Sequence, residues 1–152
     1  MPLYTPYEVF VMPYEYLDHQ ADLGIRGIGT TPEEAFGEGA QAMLDAMSDT
    51  QLVRPQQRFE QQCRAVDMPS LFVEWLNELL YQREVNDVLF CSARVLRIDR
   101  QGDEWTLEGL AMGEPLDPDR HDVHSEVKAA TYSGLDYVAS DGQYIVQCVV
   151  DL

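Results

Sequence analysis

Basic side chains are scarce in this sequence. Of its 152 residues, 10 are lysine or arginine and 27 are aspartate or glutamate, which gives a formal net charge of −17. Proteins that bind nucleic acids unaided use lysine and arginine to neutralise phosphates. We therefore expect no strong direct contact with RNA or DNA, and we expect a cation or a basic macromolecule as the partner. The alternative is that the acidity provides solubility alone.

The chain also lacks a long apolar run, and we expect no secretory leader. It has no stretch of about 18 apolar residues that would span a membrane, and residues 1–4 contain no lysine or arginine. The three cysteines, Cys63, Cys91 and Cys148, are odd in number and widely spaced, which is typical of reduced thiols. These absences predict a soluble cytoplasmic protein without membrane contact.

The patterns that are present predict one α+β domain. Residues 1–13 show no firm pattern and form a predicted N-terminal arm, and residues 14–152 form the domain. Helices are predicted over 31–48 and 69–84 because apolar residues recur there at three- and four-residue steps. The first begins with a capping residue, a proline and a glutamate at Thr31, Pro32 and Glu34, which is typical of a helix start.

Strand patterns lie on both sides of these helices. The predicted strands are 14–17, 23–28, 58–66, 88–100, 105–111, 126–138 and 143–151. Turn residues around Gly102 and Gly142 join the last four strands as two hairpins. The order of elements predicts two helices packed on a largely antiparallel β-sheet, and it does not support parallel βαβ winding.

An acidic motif between the first two strands predicts a cation site. If this segment is extended, Asp18 and Asp22 lie on one face and His19 on the other. In the last predicted strand, alternation aims Asp151 to one face, next to the main-chain carboxylate of Leu152. A fold that brings Asp22 there gathers three carboxylates, and oxygen donors suit calcium or magnesium. A solvated chain end is the alternative.

Other candidate residues support two interpretations each. The loop Asp117–His121 is either an active-site loop or a surface loop rich in turn formers. Lys128 lies in a predicted strand, where a partner contact or an ion pair competes with simple exposure. Trp75 is assigned to the core rather than to a binding surface. The chain contains no P-loop, dinucleotide-binding glycine motif, nucleophile elbow or HExxH pair.

Several segments, taken together and in order, resemble the archease family over residues 14–152. No single motif is specific, but the ordered set is. The segments are DHQADLGI (18–25), TPEEAF (31–36), WLNELL (75–80), His121, EVKAATY (126–132) and the closing pair Asp151-Leu152.

This resemblance implies a non-enzymatic accessory protein for RNA ligases of the RtcB type, which join RNA ends in tRNA splicing and RNA repair. Such a protein promotes guanylylation of the ligase and its multiple turnover. The implied cofactor is calcium, with magnesium or another divalent cation as an alternative. The resemblance assigns the metal to Asp22, Asp151 and the main-chain oxygen of Leu152.

The resemblance also implies contacts with the ligase, and we expect them at Asp18, His19, His121 and Lys128. Two positions depart from the family pattern. Gln20 stands where threonine is usual, which leaves an oxygen donor near the metal site, and Ser133 stands where histidine is common. Two other functions compete: a chaperone-like modulator of RNA-modifying enzymes, and a metal-dependent phosphoester hydrolase with His19 as its base.

Overall fold

A computed structural model describes residues 13–19 and 22–152. The predicted N-terminal arm therefore lies outside the described residues except for Pro13. In chain order the elements are β1 (Tyr14–His19), β2 (Asp22–Gly29), α1 (Pro32–Met47), a short 3-10 helix (Thr50–Leu52), β3 (Gln57–Ala65), α2 (Met68–Asn86), β4 (Val88–Gln101), β5 (Glu104–Pro115), β6 (Ala129–Ser140) and β7 (Gln143–Asp151).

The strands form two antiparallel sheets with the helices between them. The first sheet has the order β1-β2-β7-β6 and the second has the order β3-β5-β4. Helix α1 packs on β2 and β4, and α2 packs on β3 and β6, so each helix contacts both sheets. The predicted fold class, two helices on antiparallel strands, is confirmed. The strands divide into two sheets because both faces of the helical layer are apolar and need cover.

Helix α1 begins with the predicted cap. The Thr31 hydroxyl oxygen accepts a hydrogen bond from the Glu34 backbone N–H at 3.0 Å, and Pro32 opens the helix. The Glu34 carboxylate reaches back to the backbone N–H of Thr30, also at 3.0 Å. In the usual capping box this second bond goes to the capping residue itself. One donor in the first turn of the helix and one donor before it are nevertheless satisfied, as the sequence pattern indicates.

Close approach between α1 and β2 depends on two glycines. A Cβ atom on Gly27 would lie 2.0 Å from the Ala35 carbonyl oxygen and 2.5 Å from the Gly39 backbone nitrogen. A Cβ atom on Gly39 would lie 2.6 Å from the ring of Phe72. Strand and helix backbones therefore touch at this point, where no larger residue fits. Glycine at these positions reflects packing, not flexibility.

The core lies around the two helices. Trp75 on α2 is fully buried, and its indole N–H donates to the Phe36 carbonyl oxygen on α1 at 3.1 Å. The assignment of Trp75 to the core is thus confirmed. Neither of the two helices in the described part of the chain is long and apolar enough to cross a membrane.

Two strand boundaries differ by three or more residues from the sequence prediction. Strand β5 continues to Pro115, so Glu114 lies in the sheet opposite Leu89 and not in a loop. Strand β6 begins at Ala129, so Lys128 precedes the strand and the predicted start at residue 126 is wrong. Periodicity misplaces the start of β6 because the segment before it has the alternating pattern of a strand but no continuous pairing with a neighbouring strand.

The three cysteines lie on three different strands and are free. Burial raises the pKa of the Cys63 thiol and of the Cys148 thiol to about 12 each. Burial also raises the pKa of Cys91, whose thiol donates to the Met112 carbonyl oxygen at 3.3 Å. The three cysteines are not paired with one another in this fold, and their reduced state stays a prediction.

Candidate functional site

The register of β2 and β7 brings the two predicted metal ligands together. Asp22 is the first residue of β2 and lies directly opposite Asp151, the last residue of β7. Residues opposite each other in an antiparallel pair have Cβ atoms about 4.5–5.5 Å apart and share a face of the sheet. Asp22 is partly buried and Asp151 is exposed. The predicted cation site requires this meeting of Asp22 and Asp151, and the register provides it.

The pleat of the sheet decides which way these carboxylates point. The neighbouring residues Ile25, Cys148 and Val150 are buried against the helical layer, with at most 1% of each exposed. Because side chains alternate between faces along a strand, Asp22 and Asp151 point away from the helices. The pair therefore lies on the outer face, at the end of the sheet where β7 ends.

Lys128 lies beside this pair. Its backbone N–H donates to the Asp151 carbonyl oxygen at 2.8 Å, and the following residue, Ala129, lies opposite Asp151 across β6 and β7. Lys128 is exposed and is the one lysine in the sequence. One end of the sheet therefore carries two carboxylates and one ammonium group.

Helix α2 holds the start of β6 in position. The side-chain oxygen of Asn77 accepts from the Ala130 backbone N–H at 2.8 Å, and its amide nitrogen donates to the Ala130 carbonyl oxygen at 3.2 Å. Asn77 thus occupies both backbone hydrogen-bonding groups of one strand residue. Sequence reasoning gave Asn77 no role, because nothing local connects it to a residue 53 positions away.

The donor set fits a hard cation in kind. Asp22 and Asp151 supply carboxylate oxygens, and Leu152, which is 41% exposed, follows with main-chain oxygen. No group of three or more histidine, cysteine, aspartate or glutamate residues is close enough to hold a metal within residues 13–19 and 22–152. Calcium takes six to eight oxygens, so most ligands would have to come from water or from a partner.

The remaining residues of the acidic motif lie at the boundary of the described chain. Asp18 and His19 are the last two residues of β1, and the backbone of His19 lies opposite Asp22. The departure at Gln20 falls outside the described residues. A partner contact through Asp18 or His19 stays a prediction.

Known proteins resemble this chain over the same residues that form the described domain. A model of the archease protein family matches residues 14–152. The chain belongs to the archease family. The archease of Methanopyrus kandleri is 36% identical over 141 residues, which is 93% of this chain and 100% of that protein. The archease of Methanosarcina mazei is 38% identical over 139 residues, which is 91% of this chain and 95% of that protein.

Solved structures of archeases have the same fold. The solution structure of Methanobacterium thermoautotrophicum protein 1598 superposes with a TM-score of 0.81 at 33% identity, over 92% of this chain and 99% of that one. The crystal structure of a Thermotoga maritima archease, described as a possible chaperone, has a TM-score of 0.53 at 18% identity. It covers 91% of this chain and 96% of its own, and at this identity it supports the fold alone.

In this archease the predicted partner residue His121 lies inside the fold. Its side chain is 0% exposed, and its Nε2 atom lies 2.9 Å from the Glu114 carboxylate. The Asp117 backbone N–H donates to its Nδ1 atom at 2.9 Å, so Nε2 carries the hydrogen that Glu114 accepts. The expected partner contact at His121 does not agree with this burial, since the side chain is occupied by contacts within the fold.

Glu114 is the centre of a buried cluster that we name the Glu114 clamp. Its carboxylate accepts from the Arg120 guanidinium, from His121 and from the Arg54 backbone N–H, the last at 2.7 Å. Arg120 also donates to the Leu52 carbonyl oxygen at 2.9 Å. Donation by Arg120 is the largest cause that lowers the pKa of Glu114, to about 2. The clamp joins the end of β5 to the 3-10 helix and to the loop 116–128.

The loop held by the clamp is the loop that carries Lys128. Farther along it, the Asp49 backbone N–H donates to the Asp122 carbonyl oxygen at 2.9 Å, and the His124 backbone N–H donates to the Met47 carbonyl oxygen at 2.8 Å. The loop is therefore fixed to the end of α1 as well as to β5. Of the two interpretations of residues 117–121, the turn-rich loop agrees with these contacts.

Ser133, the second departure from the family pattern, lies in an irregular part of β6. Thr131 pairs with Val149, but the next paired residue is Asp136, opposite Gln147. The intervening residues form a bulge in which Ser133 is exposed. A side chain at this position is therefore presented on the edge of the first sheet.

Proposed function

We propose that this archease is a non-enzymatic accessory protein that activates an RtcB-type RNA ligase in tRNA splicing or RNA repair. The observation that carries the proposal is the pairing of Asp22 with Asp151 on the exposed end of the first sheet. Like charges on directly opposite strand positions are destabilising, so the Asp22–Asp151 pair lowers the stability of the fold when it is not neutralised. Binding of a cation would remove this repulsion and would give the pair a function.

The proposed cation is calcium, with magnesium as the alternative. Asp22, Asp151 and the main-chain oxygen of Leu152 hold it, and these hard oxygen donors match hard cations. When bound, the cation supplies charge neutralisation at the end of the sheet. Because this chain offers few donors, the remaining positions of the cation are open to water or to oxygen atoms of the ligase.

The proposed mechanism is docking of this acidic end at a cationic or metal-containing mouth of the ligase. Docking favours the nucleotide-accepting state of the ligase only if the carboxylates bind that state more tightly than the other state. The net charge of −17 attracts a basic partner surface over distances of about a Debye length. Lys128, beside Asp151, is proposed to pair with an acidic group of the ligase.

The decisive experiment measures guanylylation of a purified RtcB-type ligase with GTP, with and without this protein. Asp22→Asn and Asp151→Asn remove one charge each at nearly constant shape, and we expect stimulation to fall at least tenfold. Asp103→Asn, an equal change in the exposed turn between β4 and β5, is the matched control and retains full stimulation.

The same assay distinguishes the accessory role from its rivals. If neither amide variant reduces stimulation, the acidic pair is not the activating group and the proposal fails. If this protein alone hydrolyses GTP or a phosphoester, it is an enzyme and not an accessory protein. If it only increases the amount of soluble ligase without changing the rate per folded ligase, it is a chaperone-like modulator.

A further inference from the structure

A polar cleft lies beside the acidic pair but is distinct from it. Its volume is about 320 Å³, and it separates the end of α2 from the segment that precedes β6. The residues that line it are Leu80, Arg83, Glu84, Glu126, Val127 and Lys128.

Arg83 has an unsatisfied donor in this cleft. Its Nε atom is buried and has no hydrogen-bond partner. Arg83 lies in the last turn of α2, where a positive charge favours the helix dipole. The helix dipole thus explains why a positive charge is favourable at Arg83, but it provides no hydrogen-bond acceptor for the Nε–H group. Because buried donors are nearly always paired, an acceptor from outside the chain is needed, either water or a ligand.

Both cations of the cleft are available to a ligand. Arg83 and Lys128 belong to none of the ion pairs found within the described part of the chain. Two cations thus line one cleft without a direct ion pair to a described residue, although two glutamates line the same cleft.

We propose that this cleft binds a phosphate group. Near neutral pH a phosphate monoester carries a charge of about −1.5 to −2, which matches two cations, whereas a carboxylate would neutralise only one. The Arg83 guanidinium lines the cleft, and a guanidinium can donate two N–H groups as a fork to two phosphate oxygens. Lys128 contributes a second positive charge from the opposite wall. The phosphate is either free phosphate or part of a nucleotide.

The acidic residues of the cleft allow a test in which a substitution should strengthen phosphate binding. Glu84 and Glu126 line the same cleft and pair with neither cation among the described residues. They repel a bound phosphate. Removing the charge of Glu126 therefore strengthens phosphate binding, whereas removing the charge of Arg83 abolishes it.

The first experiment compares thermal melting in sodium phosphate and in sodium chloride at equal ionic strength. Phosphate stabilises folded proteins generally, so the readout is the difference between variants. Arg58→Gln, on the exposed start of β3, is the matched control and keeps the wild-type response to phosphate. We expect the response to be smaller in Arg83→Gln and larger in Glu126→Gln. Equal responses in all four proteins overturn the proposal.

The second experiment uses the wild-type protein alone, so it does not depend on folding of a variant. An N-hydroxysuccinimide ester acylates Lys128 and the α-amino group, and peptide mass spectrometry measures the two rates separately. Phosphate slows acylation of Lys128 at least twofold relative to the α-amino group, and acetate at equal ionic strength does not. Equal protection by acetate, or no protection by phosphate, overturns the proposal.

A third condition in the acylation experiment identifies the source of the phosphate. Uridine monophosphate has no reactive amine, so it does not consume the ester. Stronger protection by uridine monophosphate than by phosphate assigns the cleft to nucleotides or RNA ends, and equal protection assigns it to free phosphate. These measurements involve no ligase, so their failure would leave the proposed ligase activation untouched.

Discussion

Glu114 illustrates how much one residue decides in this fold. It lies at the end of β5 with 2% of its surface exposed, and its carboxylate accepts from three groups on two segments of chain, Arg54 on one and the neighbours Arg120 and His121 on the other. A buried carboxylate that lost these donors would be strongly unfavourable. The loop that carries Lys128 to the candidate site begins two residues after Glu114.

Glu114 should make stability sensitive to acid. Its folded pKa of about 2 lies below the ordinary value of 4.5, so ionised Glu114 stabilises the fold above pH 4.5, and this stabilisation is lost as the pH falls toward 2. We expect Glu114→Gln to lower the melting temperature clearly at pH 7 and much less at pH 2.5. Thermal melts at both values measure this gap.

The control for this prediction is Glu60→Gln. Glu60 is exposed on β3, and its substitution should change the melting temperature little at either pH. A gap between wild type and Glu114→Gln that stays the same from pH 7 to pH 2.5 would contradict an ionised Glu114 in the clamp.

At the scale of elements, the packing of α1 on β2 positions the strand that begins with Asp22. The two backbones touch because both carry glycine at the crossing, at Gly27 and Gly39. An α-helix normally stands farther from a sheet because side chains separate them. The contact therefore leaves β2 little room to shift against α1.

The substitution Gly27→Ala tests this contact. The added Cβ would lie 2.0 Å from the Ala35 carbonyl oxygen, and overpacking of this kind costs about 1–3 kcal/mol or more. Urea unfolding measures the cost. Gly37→Ala is the matched control, because its Cβ would meet no atom closer than 3.6 Å.

The control substitution should itself change the free energy of unfolding, in the opposite direction. Gly37 lies inside α1, where alanine is more favourable than glycine by about 1 kcal/mol. Gly37→Ala should therefore raise the free energy of unfolding while Gly27→Ala lowers it. Equal effects of the two substitutions would mean that the backbones do not touch as described.

For the whole molecule, the two sheets and the helices between them bring distant parts of the chain to one end. Asp22 and Asp151 are 129 positions apart in sequence and directly opposite in register. A ligand held by both therefore binds the folded state and not the unfolded chain. Such a ligand stabilises the molecule by RT ln(1 + c/Kd), where c is the free ligand concentration, so the stabilisation grows with the logarithm of the ligand concentration.

Calcium should accordingly raise the stability of the wild-type protein. At a concentration a hundredfold above the dissociation constant, a ligand of the native state contributes about 2.7 kcal/mol. We expect calcium to raise the melting temperature of wild type and Asp103→Asn, and to leave Asp151→Asn unchanged. Differential scanning calorimetry with calcium or magnesium chloride, against sodium chloride at equal ionic strength, measures it.

An unchanged wild-type melting temperature at millimolar calcium would contradict a metal held by this chain alone. The accessory role would then rest on carboxylates that meet a cation of the ligase. The guanylylation assay separates these cases, because it tests the carboxylates whether or not they hold their own metal.

The sequence predicted the elements of the fold better than their partners. Alternation along β7 predicted the face on which Asp151 lies, and the turn at Asp141 and Gly142, both with positive φ, is the tight hairpin that the sequence signalled. The Glu114 clamp and Asn77 were missed because their partners lie far away in sequence. Local periodicity contains no information on such contacts.

The placement of the cysteines has a practical consequence. With pKa values of about 12 for Cys63 and Cys148, almost none of either sulfur is thiolate at neutral pH, and the thiolate is the form that oxidants and alkylating reagents attack. Both thiols should therefore resist oxidation by air in the native protein. Maleimide dyes should label Cys63 and Cys148 slowly, so efficient labelling at either position requires the protein to be unfolded.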